Sequence, residues 1–276
     1  MAKLNLLRFF AWLALLFAPL SHALVLPHEP VMGERLLVAV SLCDEPEPQL
    51  LAPPRLSMQG GALELRAELR SNEGYGGFGV QRCIRLVKLS DPLVAGNYDV
   101  IFAKEISGGR AGISTESDRL TSLSVRDLGA PATPQYRRLN GNWFDPAAPG
   151  TGVNLVQGRS GALLAAWLTH PPPDLDPWSS MLPPASGPNT FGGWYVMSEG
   201  RWVSPTVFRG PLFITYGPPS DRPWDGSMLS AQPAGFAQFT FVGPEEMRFE
   251  ATVMNGHLNR NQGTVSVTQT LRRFRF

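Results

Sequence analysis

Residues 235–254 read GFAQFTFVGPEEMRFEATVM, and this stretch decides the fold class. In its first half Ala237, Phe239 and Phe241 alternate with polar residues, which is the two-residue period of a β-strand with one buried face. The second half, residues 246–254, alternates in the same way after a Gly-Pro turn. The stretch therefore predicts a β-hairpin of an antiparallel sheet.

Further strand-like runs extend on both sides of this hairpin. They fall near 139–144, 151–157, 161–170, 191–198, 201–216, 235–242, 246–254 and 263–276. Sequential hairpins of about eight strands close most simply into an up-and-down barrel, because closure leaves no exposed sheet edge. A Pro-rich loop at 171–190 interrupts the series, since its prolines cannot join a regular ladder. We expect a β-barrel-like domain over residues 139–276.

Residues 24–130 contain a separate group of short strand-like runs with Gly-rich turns between them. The segment from Leu93 to Tyr98 resembles the tyrosine corner of immunoglobulin-like sandwiches; the alternative is a plain turn followed by a strand that contains Tyr98. Residues 131–138 contain two prolines and no apolar period, which is typical of a linker. The expected fold is all-β, an Ig-like β-sandwich followed by an antiparallel meander that forms an eight-strand up-and-down barrel.

The N-terminus has the features of a secretory signal peptide. Lys3 and Arg8 precede an apolar run from Phe9 to Leu20, and Ser21-His22-Ala23 is a small-x-small cleavage pattern. The apolar run is shorter than the roughly 20 residues that a membrane-spanning helix needs. We therefore expect residues 1–23 to be a signal peptide and the mature chain to be exported to the periplasm or the extracellular space, without membrane insertion.

The chain contains two cysteines, Cys43 and Cys83. In an exported protein the default expectation is one disulfide between them. In the chain-entropy model, closing this loop stabilises the fold by roughly 4 kcal/mol.

The formal net charge of +1 becomes −1 when Lys3 and Arg8 leave with the signal peptide. A nearly neutral chain lacks the electrostatic footprint of a protein that binds nucleic acid. Nucleic acid is therefore excluded as the expected partner.

Several segments of the second domain resemble one module. They are Gly141-Asn142-Trp143-Phe144-Asp145-Pro146, Gly150-Thr151-Gly152, Ala165-Ala166-Trp167-Leu168-Thr169 and Trp194-Tyr195-Val196-Met197-Ser198. The pattern is similar to GxWYNPxxSGxG…WFTY…WYxMS…GxLYxxxGP, a β module of exported Gram-negative proteins. The module has no established role, so the resemblance implies export and no particular activity. The Pro-rich loop departs from the module, which has a short turn there.

Gly141-Asn142-Trp143 is also similar to the first strand of lipocalin and avidin-like barrels, where the Trp packs against an Arg of the last strand. Alternation from Leu271 places Arg273 on the inner side of the predicted last strand. One interpretation is a cation–π stack of Arg273 on Trp143. The other is an Arg near the C-terminus that extends into water.

No catalytic motif is present, and no cofactor or metal is expected from the sequence. The residues that could form a hydrolase site are His170, Asp145 and Glu199, which lie at the ends of predicted strands. His170, Asp174 and Asp176 form the one local group of potential metal ligands. The alternative is that these residues belong to a solvated loop that binds no metal. The sequence does not decide whether the protein is an enzyme, and it favours a non-catalytic role.

The aromatic residues of the barrel are the candidates for a ligand site in an open lumen. The candidate ligand-binding residues are Trp167, Trp194, Trp202 and, within the Pro-rich loop, Trp178; the alternative for most of them is core packing. We expect an exported binding or surface-interaction protein whose partner is a protein, a glycan or a small apolar molecule. The alternatives are a carrier of a small apolar ligand in the barrel and a cell-envelope hydrolase.

Overall fold

The computed structural model of the protein describes residues 22–44, 49–70, 82–107, 113–169, 194–217, 223–254 and 264–275. Its first strands are β1 (His22–Leu26), β2 (Leu37–Asp44), β3 (Gln49–Leu50), β4 (Arg55–Gln59), β5 (Ala62–Arg70), β6 (Arg82–Leu89), β7 (Gly96–Ser107) and β8 (Ile113–Val125). They are followed by β9 (Gly141–Phe144), β10 (Gly152–Gln157), β11 (Leu163–Leu168), β12 (Trp194–Met197), β13 (Arg201–Ser204), β14 (Val207–Tyr216), β15 (Ser230–Phe241), β16 (Glu246–Met254) and β17 (Thr264–Arg273). A short 3-10 helix spans Gly226–Met228. Across these ranges, no helical segment has the length and apolar character required to cross a bilayer.

The first eight strands form two sheets that face each other. One sheet has the order β1-β2-β6, and the other has the order β3-β5-β7-β8 with β4 also paired to β5. In β5 the alternating residues Leu63, Leu65, Ala67 and Leu69 are all buried, whereas the residues between them face outward. These inner residues pack against the inner face of the other sheet, so the period-two pattern in the sequence builds a sandwich core.

One pairing departs from an all-antiparallel immunoglobulin arrangement. Strands β5 and β7 run parallel, with Ala62 opposite Asp99 and Arg70 opposite Ser107. The sandwich contains the hydrogen bond expected of a tyrosine corner, because the hydroxyl of Tyr98 donates to the carbonyl of Val94 at 3.0 Å. That bond ties the turn before β7 to the strand itself.

The two cysteines occupy directly opposite backbone positions. Cys43 of β2 pairs with Cys83 of β6 in the antiparallel register. Their side chains lie outside the described part of the structure, so the disulfide stays a prediction.

The remaining strands form a closed eight-strand antiparallel barrel. The order β12-β11-β10-β9-β17-β16-β15-β14 is that of a meander, and the pairing of β12 with β14 completes the circle. Val196 of β12 lies opposite Phe213 and Arg201 of β13 lies opposite Arg209, so β12 and β13 follow one another along the same partner strand. The prediction of an all-β chain with a sandwich followed by an eight-strand up-and-down barrel is confirmed.

The predicted linker, residues 131–138, contains no strand but packs against the barrel. The amide of Ala132 donates to the carbonyl of Trp202 at 3.2 Å, and the amide of Gln135 donates to Pro205 at 2.8 Å. Tyr136 packs against the barrel core. The predicted linker therefore lies against the barrel.

The sandwich and the barrel have separate cores and meet at a junction. Leu37 and Ala39 of β2 form a small apolar cluster there with Met254 of β16. Glu34 of the sandwich is paired with Arg209 of β14 in the same junction. The contact is therefore both apolar and ionic.

Residues 1–21, which include most of the predicted signal peptide, lie outside the described residues. Strand β1 starts at His22, and His22 and Ala23 pair with Ser41 and Val40. Cleavage after Ala23 would leave Leu24–Leu26 paired with Leu37–Ala39, so β1 would be shorter by two residues.

Candidate interaction surface

The interior of the barrel is filled with side chains. Trp167 is 3% exposed; it stacks on Tyr195 with ring centroids 5.1 Å apart and meets Phe249 edge to face. Trp202 is likewise buried, and its indole Nε1 donates to the carbonyl of Gly161 at 2.8 Å. Both side chains are therefore packed into the core, which is the alternative that the sequence left open, and a ligand-binding role for Trp167 and Trp202 stays a prediction.

Trp194 lies in a different environment from Trp167 and Trp202, and its predicted role in binding stays a prediction. Its side chain is 52% exposed and lies on the outer face of β12, next in sequence to the inward-facing Tyr195. The three tryptophans thus do not line one cavity in the described barrel. Trp178 lies outside the described residues.

Trp143 and Arg273 close the seam between the first and last barrel strands. They are direct partners in the pairing of β9 with β17. Trp143 is buried against Phe241, and its Nε1 donates to the carbonyl of Leu139. The guanidinium of Arg273 donates to the carbonyl of Asn140 at 2.6 Å and lies 3.5 Å from a carboxylate oxygen of Glu245. Among the described contacts, Arg273 is thus held by polar groups at the barrel rim, beside Gly141.

The outer face of β10, β11 and β12 carries a continuous apolar surface. Val156 lies directly opposite Leu164, Ala166 opposite Val196, and Leu168 opposite Trp194. The four largest side chains are about half exposed: Val156 50%, Leu164 46%, Leu168 49% and Trp194 52%. We call the surface formed by Val156, Leu164, Ala166, Leu168, Trp194 and Val196 the apolar wall.

The barrel strands across from the apolar wall show the usual composition of a solvated sheet face. Eight outward residues of β15, β16 and β17 form a polar surface, here called the polar wall: Gln238, Thr240, Arg248, Glu250, Thr252, Ser266, Thr268 and Thr270. The outward residues Phe236 and Met254 of the same strands are apolar and are buried beside the sandwich. Residues of the polar wall bond to one another, for example Gln238 to Glu250 at 3.3 Å and Thr252 to Ser266 at 3.1 Å. The outer surface of the barrel is therefore apolar on one side and polar on the other.

The sequence contained a signal for the apolar wall that periodicity analysis missed. Strand β11 reads Leu163-Leu164-Ala165-Ala166-Trp167-Leu168, without a polar residue at its outward positions. A strand of a small barrel with one wet face should alternate between apolar and polar residues. Strand β11 is instead apolar on both faces, so it departs from this alternation.

A second exposed apolar group lies at the end of the barrel where Trp194 is found. Because β12 and β14 are neighbours, the start of β12 adjoins the connection that follows β14. That connection presents Trp224, which is 72% exposed, together with Met228 and Leu229. Asp225 caps the 3-10 helix by accepting from the amide and hydroxyl of Ser227, and these hydrogen bonds hold the pKa of Asp225 below its usual value.

The residues of the hydrolase hypothesis are not brought together. Asp145 follows β9 and accepts a hydrogen bond from the amide of Ala147, whereas Glu199 follows β12 and pairs with Arg35 of the sandwich. Strand β12 runs antiparallel to β9, so the two carboxylates lie at opposite ends of the barrel. The predicted pairing of Asp145 with Glu199 is therefore wrong.

His170, Asp174 and Asp176 lie outside the described residues. Within the ranges that the structure describes, no group of three or more His, Cys, Asp or Glu side chains is arranged to hold a metal ion.

Comparison with known proteins finds no relative of this chain. No protein-family model matches the chain, and no similar curated protein or solved structure is found. The resemblances to the exported module and to lipocalin and avidin-like barrels therefore stay predictions.

Proposed function

We propose that this chain is an exported, non-catalytic interaction protein that binds a protein partner through the apolar wall. The observation that carries the proposal is the row of three cross-strand apolar pairs on the outside of a barrel whose inside is already filled. A barrel packed in this way serves as a rigid support for a contact surface.

The chemistry of the apolar wall favours a protein over the other partner classes. None of its six residues is charged, and surfaces that dock on anionic membranes or nucleic acid rely on Lys and Arg. Leu164, Leu168 and Val156 are aliphatic, and depletion of charge around a few large apolar residues is typical of the centre of a protein interface. Trp194 supplies the aromatic anchor that such interfaces often contain.

The apolar wall has a polar edge on one side and an apolar neighbour on the other. On its β9 side, the side chains of Asn142 and Asn154 are joined by a hydrogen bond of 2.7 Å. On its β12 side, Val196 adjoins Phe213 of β14. Trp224 lies at the same end of the barrel as Trp194 and would extend the contact beyond the wall.

Export is supported by the predicted signal peptide and by the module that residues 139–276 resemble. The opposite backbone positions of Cys43 and Cys83 support a disulfide, because directly paired residues of antiparallel strands have Cα separations that a disulfide can bridge.

Site-specific photo-crosslinking tests the proposal. A benzophenone amino acid is placed at Leu164 of the apolar wall or, as the matched control, at Thr268 of the polar wall, in cells that produce the protein. We expect a crosslinked species of defined mass from position 164 alone. Added purified wild-type protein should reduce the amount of this crosslinked species by competing for the partner, whereas the Leu168→Glu variant should not.

Equal crosslinking from both walls, or competition by Leu168→Glu as good as that by the wild type, would overturn the proposal. Crosslinking to lipid or polysaccharide in place of a polypeptide would reject the protein partner.

A further inference from the structure

A polar cleft lies between the sandwich and the barrel, and its volume is about 460 Å³. One side is formed by Pro27, His28 and Glu29, which follow β1. The floor is formed by outward side chains of β15, β16 and β17. Clefts of this size at domain interfaces are typical binding sites of small molecules. None of the six residues of the apolar wall lines the cleft.

The floor of the cleft is a grid of hydrogen-bonding side chains. Its outward residues stand in two rows across the three strands, Gln238 with Glu250 and Thr268, and Phe236 with Thr252 and Ser266. All except the phenylalanine carry a hydroxyl, carboxamide or carboxylate group, and hydroxyl and carboxamide groups both donate and accept. The floor therefore suits a ligand that presents several hydrogen-bonding groups at once.

The charged side chains that line the cleft are already neutralised by partners. Arg209 donates to both carboxylate oxygens of Glu34, each at 2.7 Å. Glu29 and Glu250 are each paired with an arginine that does not line the cleft. A charged ligand would have to compete with these ion pairs, so the cleft favours a neutral one.

Polar groups of three lining side chains are available to such a ligand. Among the described contacts, the imidazole of His28 and the hydroxyl of Thr268 make no hydrogen bond. Gln238 uses its amide nitrogen towards Glu250 and leaves its Oε1 without a described partner. His28 and Thr268 are exposed, so a molecule in the cleft reaches their polar atoms directly.

We propose that the cleft binds a neutral mono- or disaccharide. A sugar is uncharged and carries several hydroxyl groups, each of which donates and accepts, and this matches the two rows of the floor. The lining contains none of the exposed large apolar side chains of the described structure, so it offers little to an apolar ligand. Strand β16, at the centre of the floor, is paired on both sides, so a peptide cannot add to the sheet there.

The test is a titration of the folded, full-length mature protein followed by NMR of backbone and side-chain amides. The probes are maltose, cellobiose and N,N′-diacetylchitobiose, and the acyclic polyol sorbitol is the control for unspecific effects of hydroxyl groups. We expect at least one disaccharide to shift the side-chain amide resonances of Gln238 and the backbone amide of Thr268 with saturation. The amide of Leu164 in the apolar wall should stay in place, and sorbitol should cause no saturable shift.

Thr268→Ile and Thr270→Ile form a matched pair of variants. Both threonines are exposed on the outer face of β17, but only Thr268 lines the cleft. Isoleucine keeps the β-branched shape that suits a strand, removes the hydroxyl and adds bulk. We expect Thr268→Ile to lower the affinity for the best-bound disaccharide by about tenfold or more, because a hydrogen bond is lost and the cleft is narrowed. Thr270→Ile should leave the affinity unchanged.

Three outcomes would overturn the proposal: no saturable shift with any of the three disaccharides, saturable shifts confined to residues outside the cleft, or equal affinities of the two variants. If Thr268→Ile does not fold, the wild-type titration decides by itself. None of these outcomes bears on the apolar wall, so the saccharide site and the protein partner are tested separately.

Discussion

Glu34 and Arg209 join the two domains through a pair of parallel hydrogen bonds, Nε to Oε1 and Nη2 to Oε2, both 2.7 Å long. The side chain of Glu34 is 3% exposed and that of Arg209 is 13% exposed. Glu34 also accepts from the amide of Val31, which fixes its carboxylate before β2 begins. The pair is thus a buried, fully bonded ion pair across a domain junction.

Breaking this ion pair should destabilise the protein strongly. Arg209→Met leaves the Glu34 carboxylate buried without its cation, and such changes cost about 3–5 kcal/mol. Chemical denaturation measures the loss. The control is Arg126→Met, which removes the exposed partner of Glu29 and should cost less than about 1 kcal/mol. Equal effects of the two substitutions would show that the junction does not form in solution.

Trp167 and Trp194 should respond oppositely to truncation, although both are tryptophans of neighbouring strands. Trp167→Ala opens a cavity beside Phe249 and should cost about 3–5 kcal/mol of unfolding free energy. Trp194→Ala removes a half-exposed side chain and should change it by about 0.5 kcal/mol or less. Thermal and chemical unfolding measure both. A neutral Trp167→Ala would mean that the barrel has an open lumen.

Glu245 should make the stability of the barrel seam depend on pH. Its hydrogen bond with Arg275, and to a lesser extent Arg273, holds the pKa of the Glu245 carboxyl below its ordinary value of 4.5. The stabilisation is therefore complete above that ordinary value and is lost as the pH falls through the lower folded value. The difference in unfolding free energy between wild type and Glu245→Gln should shrink as the pH falls from neutral to about 3.

Arg275 supplies the control for this pH dependence. In an Arg275→Met background, the effect of Glu245→Gln should be smaller at neutral pH and should vary less with pH. A wild-type difference that grows on acidification would contradict the assigned ion pair.

Cys43 and Cys83 should be joined in the exported protein. The intact mass under non-reducing conditions should be two hydrogens below that of the reduced chain, and its value should place the first residue at Leu24. Serine at both positions should lower stability by about 4 kcal/mol. Alkylation of both thiols in unfolded, unreduced protein would disprove the disulfide.

Local alternation was enough to predict both domains. The pattern Leu63 to Leu69 in β5 and the hairpin of β15 and β16 face the core as the period predicts. The pairing of Glu34 with Arg209 could not be predicted from local sequence patterns, because the two residues are 175 positions apart. Trp167, Trp194 and Trp202 look alike in sequence, and only the register of β11 to β13 separates core from surface.

The central claim is that the apolar wall binds a protein partner. Size-exclusion chromatography of extracts from cells that produce the protein tests it. The variants are Leu164→Glu/Leu168→Glu in the apolar wall and Ser266→Glu/Thr268→Glu in the polar wall. The wild type and the polar-wall variant should elute as a complex larger than the chain, because added carboxylates are tolerated on the polar wall but not in an apolar contact. The apolar-wall variant should elute at the size of the chain alone. Elution of the apolar-wall variant with the complex would contradict the account.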